Sequence, residues 1–318
     1  MKKSVLVIGL CLILLSAASY SVHTAARRVN FGLLGGGNME TKTFDITEDF
    51  RNIRITADTE DIEFRPSDSG KCRVVCVERE NDWHTVSVSD KTLTVERVNA
   101  GKWFRNISLF SLGKQSITVY LPKSEYADLF IDDDTGDVAV PQDFTFDSVE
   151  ITVSTGDVAC GASASGLLRI KTSTGDILTE NVSAGELDLK VSTGRVDLQS
   201  VDCGGNVNVV VSTGKAQLTD VACRSLSSTG STGSIALQNV IAETTMSVKR
   251  STGNVSFDRC DAGELLIETD TGKVSGTLLS DKVFLARSDT GHIDVPETLS
   301  GGRCKISTDT GSIKMEIL

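Results

Sequence analysis

The chain is expected to be all-β: a parallel β-solenoid (β-helix) of about ten coils of 19–20 residues, with an N-terminal β cap. Three observations predict this. The first is a repeated triplet: Asp134-Thr135-Gly136, Ser154-Thr155-Gly156, Ser173-Thr174-Gly175, Ser192-Thr193-Gly194 and Ser212-Thr213-Gly214, then Ser231-Thr232-Gly233, Ser251-Thr252-Gly253, Asp270-Thr271-Gly272, Asp289-Thr290-Gly291 and Asp309-Thr310-Gly311. Its glycines are 20, 19, 19, 20, 19, 20, 19, 19 and 20 residues apart. The second is the set of apolar residues at fixed offsets from each glycine. Seven before it stand Leu129, Val149, Leu168 and Leu187; five before, Ile131, Ile151, Ile170 and Leu189; two after, Val138, Val158, Ile177 and Val196. Polar residues alternate with them, which is the period of a strand with one face inward. The third is that nothing between repeats is helical or long enough to cross over as a βαβ unit.

Taken in order, residues 1–28 read as a signal peptide or an N-terminal membrane anchor. Lys2 and Lys3 precede an apolar run from Val5 to Leu15, then Ser16-Ala17-Ala18. Weakly apolar residues continue to Val22, which just reaches a membrane-spanning length. Either way the rest is expected outside the cytoplasm, membrane-anchored or secreted. Residues 29–46 read as a flexible linker, because Gly32, Gly35, Gly36 and Gly37 break any pattern.

Residues 47–122 read as a β cap with a degenerate first coil. Ile53, Ile55, Ile62 and Phe64 bracket Asp58-Thr59-Glu60 at the repeat's own offsets, with Glu60 in the glycine position. Period-two runs follow at residues 72–77, 85–88, 92–95 and 116–121, and Asp90-Lys91 has the length of a hairpin turn. An atypical first unit is expected, since it must cover an otherwise open edge. Residues 123–318 are the regular coils. In each, the glycine is expected to supply a positive φ. The Ser or Asp two places earlier is expected to accept a bond from an N–H of the turn.

The segments Ile53 to Phe64, Ile117-Thr118-Val119-Tyr120-Leu121-Pro122 and Ser154-Thr155-Gly156-Asp157-Val158 with its successors resemble a bacterial cell-envelope family of unknown function labelled a putative adhesin domain. The resemblance covers roughly residues 47–318. It implies the solenoid fold and an envelope setting, and it carries no catalytic residues to transfer.

Composition narrows the function classes. Aromatics are only 5%, which suits a thin core of Val, Ile and Leu. A net charge of −11 argues against nucleic acid as a partner. Of eight cysteines, no pair has metal-finger spacing. Cys203 and Cys223 share one offset, so neighbouring coils bring them together as a disulfide or as a reduced ladder filling core space.

Asp270, Asp289 and Asp309 share one offset in three coils and are the candidate metal ligands, for Ca²⁺; a solvated turn ladder is the alternative. Asp132, Asp133 and Asp134 form a second acidic cluster. His23, His84 and His292 suggest no triad by their spacing. Trp83, Trp103 and Phe104 are either buried under the cap or an exposed platform for sugar. No cofactor is expected. The expected function is non-catalytic: an exported envelope protein, adhesin-like or scaffolding, that displays repeated polar ladders to an envelope polymer or protein. The alternatives are a polysaccharide-active β-helix enzyme and a self-assembling structural module whose last coil pairs edge to edge with another chain.

Overall fold

The computed structural model describes residues 29–30, 39–79, 83–98 and 114–318. Every regular element among them is a strand, and outside the N-terminal cap the strands stack coil upon coil in parallel register. Val149 lies over Leu168 and Ile151 over Ile170, while Val138 lies over Val158. Each coil has a long side ending in the triplet and shorter sides after it. Ile177, Val182, Ala184, Leu187, Leu189 and Val191 point inward from one such circuit and are buried.

The corners explain the repeat. Eight of the ten triplet glycines have φ between +126° and +158°. Closeness matters more. A Cβ on Gly194 would stand 2.0 Å from the carbonyl oxygen of Gly175, and one on Gly175 would stand 2.0 Å from that of Gly156. Adjacent coils therefore touch backbone to backbone at this corner. The polar cap does not come from the Ser two residues earlier, as the sequence suggested. It comes from the residue after the glycine, and it runs between coils: Asp157 N–H donates to Asp137 Oδ1 (3.0 Å), Asp176 N–H to Asp157 Oδ1 (2.8 Å) and Arg195 N–H to Asp176 Oδ1 (2.7 Å). A second corner recurs at Asn181, Ser200, Asp220, Asn239 and Arg259, all left-handed with φ between +51° and +56°. Asn and Asp tolerate that region best among residues with a side chain.

The narrow parts of the coil take small residues. Nine after the glycines of five successive coils, Gly175 to Gly253, stand Ala184, Cys203, Cys223, Ala242 and Ala262, all buried. Cys203 and Cys223 are free thiols occupying an alanine column, so the reduced ladder is what the structure holds.

The cap is mixed. Met39–Ile46 runs antiparallel to Cys72–Arg79, which runs antiparallel to Ser116–Leu121. Trp83–Ser89 and Thr92–Val98 form a hairpin whose Asp90 and Lys91 both have positive φ, the geometry of a type I′ turn. One expectation changes here. Residues 39–46, assigned to a flexible linker, are a strand, because Phe44 and Ile46 alternate into the core. The glycine-rich residues 31–38 lie outside the described residues, as do residues 1–28 with His23 and Cys11, and Trp103 and Phe104.

Coil order differs from chain order at both ends. Asn52–Ala57 is flanked by Thr92–Val98 on one side and Glu125–Thr135 on the other, with Ile53 opposite both Leu93 and Leu129. The first coil is thus the second in space. At the other end Gly302–Thr310 lies between Val255–Thr271 and Lys282–Thr290, with Ile306 opposite both Ile267 and Ala286. Of the edge expected in the last coil, at Ser312 to Leu318, Ile313 and Lys314 are covered by Ile293–Asp294, while among the described residues Met315–Ile317 pairs on one side alone; Lys282–Thr290 is the outermost long strand. A Cβ on Gly302 would stand 2.0 Å from the Gly263 carbonyl oxygen, so the inserted strand also meets its inner neighbour backbone to backbone. Buried Lys282, on the outer neighbour, reaches Asp261 at 2.6 Å. Burial alone would raise the Asp261 carboxyl, but bonds from Lys282, Ser280 and Ala262 hold it below its usual range.

One charge inside the solenoid has little support. Arg250 is 2% exposed and donates from Nη2 to Ser228 Oγ (2.9 Å), while Nε and Nη1 meet no acceptor. Its guanidinium occupies the space left by Gly230, and burial lowers its pKa to about 10. Arg250→Met should raise stability by about 1–4 kcal/mol in denaturant unfolding, because an apolar chain of similar reach removes a desolvated charge. Loss of stability would show that the guanidinium is needed where it stands.

Candidate functional site

Two regions carry chemistry. The outer one is the glycine corner. Asp61, Asp137, Asp157 and Asp176 follow one another along it, each carboxylate held by the N–H of the next coil at 2.7–3.0 Å. Like charges one strand spacing apart repel, so these donors matter. Lys114 adds a counter-charge, 2.6 Å from Asp61 and 3.5 Å from Asp137. Beside this ladder lies an open groove of about 410 Å³, whose lining includes Glu63, Pro141, Asp143, Leu178, Glu180 and Asn181.

The candidate metal ligands Asp270, Asp289 and Asp309 are exposed in one column, in the spatial order 270, 309, 289. They form a ladder and do not converge; Asp289 instead accepts from Arg287 at 3.1 and 3.2 Å. Of the second acidic cluster, Asp132 and Asp134 are exposed and Asp133 is buried. The ten triplet glycines Gly136, Gly156, Gly175, Gly194, Gly214, Gly233, Gly253, Gly272, Gly291 and Gly311 serve as contacts between coils. His292 is exposed in a turn, and Trp83 is half-buried with Lys42 Nζ 5.7 Å from its ring centroid.

The inner region lies where the cap meets the first coil, and it gathers Glu60, Glu78, His84, Asp133 and Gln115, all buried. Glu60 takes the glycine place in the backbone ladder, since a Cβ on Gly136 would stand 2.1 Å from its carbonyl oxygen. Its side chain turns inward and accepts from the N–H groups of Asp58 and Thr59, both at 2.9 Å, and from Gln115 Nε2 at 3.2 Å. His84 stands between two carboxylates, with Nδ1 3.2 Å from Glu78 Oε2 and Nε2 3.7 Å from Glu60 Oε1. Lys42 pairs with Glu78 from the neighbouring strand. Burial alone would raise the Glu78 carboxyl, but bonds from His84 and Lys42 bring it below its usual range. Asp133 has only weak help, from the backbone N–H groups of Thr135 and Asp134. Both oxygens lack a well-placed donor, and burial together with the Glu60 charge pushes its pKa up to about 7.

Sequence reading passed over this cluster, although a signal was present. Glu78 shares the inward phase of its strand with Val74 and Cys76, and Asp133 sits three before its glycine, where other coils place Val153, Val191 and Val211. Polar residues in an inward phase mark such a site.

With the coils and their glycine corner established, the comparison with known families has a structural meaning. Residues 50–214 match the family described as Toastrack DUF4097. The chain belongs to that family. Similar solved structures include a putative adhesin from Bacteroides fragilis, 15% identical over 87% of this chain and 97% of that one, with a TM-score of 0.38. A putative lipid binding protein from Parabacteroides distasonis is 16% identical over 74% and 94%, with a TM-score of 0.44. A putative adhesin from the same organism is 12% identical over 87% and 97%, with a TM-score of 0.42. No curated protein matches. Among the described residues of this toastrack chain, no helix is long and apolar enough to cross a membrane.

Proposed function

We propose that this toastrack protein is an exported binding or scaffolding protein of the cell envelope that engages a polymer or protein partner without turning it over. The observation that carries this reading is the Asp61–Asp137–Asp157–Asp176 ladder beside the groove lined by Glu63, Leu178 and Glu180. Identical groups at one strand spacing suit a partner that also repeats, and negative charge suits one that is cationic or rich in hydroxyl groups.

The test substitutes Asp137, Asp157 and Asp176 together by Asn. Asn keeps the bond between coils, as Asn254 does in accepting from Lys273 N–H at 2.9 Å, and removes only the charge. Wild-type protein should co-sediment with isolated envelope polymer or be retained on envelope proteins, and the triple variant should lose most of that binding. Unchanged binding by the variant, or release of soluble sugar from the polymer, would overturn the reading.

Self-assembly has its own support in the outermost coil. Leu285 is 52% exposed there, close in sequence to exposed Leu279 and Ile293, and among the described residues no strand covers the outer edge of Lys282–Thr290. Sedimentation velocity over a wide concentration range should show end-to-end dimers if this edge pairs; a monomer throughout removes the idea.

A further inference from the structure

The buried junction of cap and solenoid holds a donor set that the envelope-binding reading does not use. Cys76 Sγ, a Glu78 carboxylate oxygen and a His84 ring nitrogen all lie within 4.8 Å of one another. Cys76 and Glu78 are fully buried and His84 is 2% exposed. Among the described residues this is the one set of three His, Cys or acidic side chains gathered so closely.

We propose that Cys76, Glu78 and His84 form a binding site for a single Zn²⁺ ion, with Glu60 orienting the imidazole from behind. The His84 Nδ1 to Glu78 Oε2 separation is 3.2 Å. Two ligands each about 2.0 Å from a tetrahedral zinc stand about 3.3 Å apart, so the pair already has the right spacing. Cys76 Sγ, within 4.8 Å of both, needs to close by at most about 1.3 Å to complete the set. The opposite nitrogen, Nε2, has no hydrogen-bond partner and faces Glu60 Oε1 at 3.7 Å. Closing that gap by about 0.7 Å gives the arrangement in which a metal-bound histidine directs its remaining N–H at a carboxylate. Glu60 is fixed for this role by the N–H groups of Asp58 and Thr59 and by Gln115.

Sulfur, nitrogen and oxygen donors together select a borderline ion and disfavour Ca²⁺ or Mg²⁺. Three protein ligands leave one position for water. On binding, the Cys76 thiol gives its proton to solvent, and thiolate plus Glu78 carboxylate balance the two charges of the ion. Lys42, now paired with Glu78, has the face of Trp83 beside it as an alternative seat. The ion would then join Cys72–Arg79 to Trp83–Ser89 above the first coil.

The competing account of the same geometry is an imidazole clamped between two carboxylates with no ion. The full chain, stripped of metal by a chelator, separates the two when titrated with Co²⁺ and then Zn²⁺. The expected result is one Co²⁺ per chain, with a near-ultraviolet sulfur-to-cobalt band and the visible spectrum of a tetrahedral site, displaced by Zn²⁺. Cys76→Ser should lose the band. Glu60→Gln should weaken binding about 10–100-fold at unchanged stoichiometry. Cys304→Ser, a buried cysteine at the other end of the solenoid, should change nothing. X-ray absorption of the wild-type zinc form tests the idea without any variant, and should show one sulfur among nitrogen and oxygen ligands. Absence of saturable binding, an unchanged band in Cys76→Ser, or a zinc shell without sulfur would each overturn the proposal.

Discussion

Gly194→Ala should destabilise the protein by about 3–5 kcal/mol, a large effect for a single methyl group. Two costs combine. The native φ of +147° belongs to glycine, and a side chain there is strained by about 1–3 kcal/mol. The new Cβ would also stand 2.0 Å from the Gly175 carbonyl oxygen, which is backbone and has no rotamer to change. The coils must part at that corner, losing ladder bonds on both sides. Gly204→Ala is the matched control, because nothing lies within 4 Å of its Cβ position and its φ is not left-handed. It should stay within about 0.5 kcal/mol of wild type. Chemical denaturation of both variants checks this. Each coil is held mainly by its neighbours, so a break at Gly194 should also split a single transition into two. Equal effects for the two variants would mean that the glycine corner is not the tight contact.

Asp133 should make the protein less stable as pH rises from about 4 to about 7. The folded carboxyl titrates near 7, whereas an unfolded one titrates near 3.9. Between those values the folded state keeps a proton that the unfolded state has released. Stability therefore falls with pH across the window and levels off above it. A shift of that size corresponds to roughly 4 kcal/mol at most, at about 1.36 kcal/mol per pH unit. Asp133→Val restores the residue that Val153 and Val191 place at the same offset. It should flatten the slope and stabilise by about 2–4 kcal/mol at pH 8, with a smaller gain at pH 4. Unfolding free energies measured at several pH values decide the matter. A slope that survives the substitution would assign it to another group.

These two sites show what the residues disclose and what they hide. The period of 19–20 residues announces the stack, and its glycines mark where coils touch. The φ argument was only part of the reason, since contact between backbones appears once the coils are superposed. The phase of Asp133 was readable too, yet its neighbours Asp132 and Asp134 made it look like a surface cluster. The exchange of coil order at the two ends was not readable. Ile267, Ala286 and Ile306 carry the same offset, so any of these coils satisfies the pattern on any other. The Lys282–Asp261 ion pair, which links the two coils on either side of the inserted strand, is a detail that no periodicity records. The inner cluster was hidden for a similar reason. Its members come from Glu60, from two cap strands and from a later coil, and only the antiparallel cap brings them together.

The exchanged order also bears on how such a protein takes a load. A solenoid laid down strictly in sequence would peel from its tail, one ladder at a time. Here Met315–Ile317 pairs on one side only, but Gly302–Thr310 behind it is hydrogen-bonded along both flanks, so a pull from the C-terminal side must shear two ladders together once it reaches that strand. At the opposite end Asn52–Ala57 is gripped in the same manner once the Met39–Ile46 strand has been drawn away. The molecule is built like a cord with its ends tucked under the adjacent turn, which resists tension by sliding friction between coils and not by the strength of the last one.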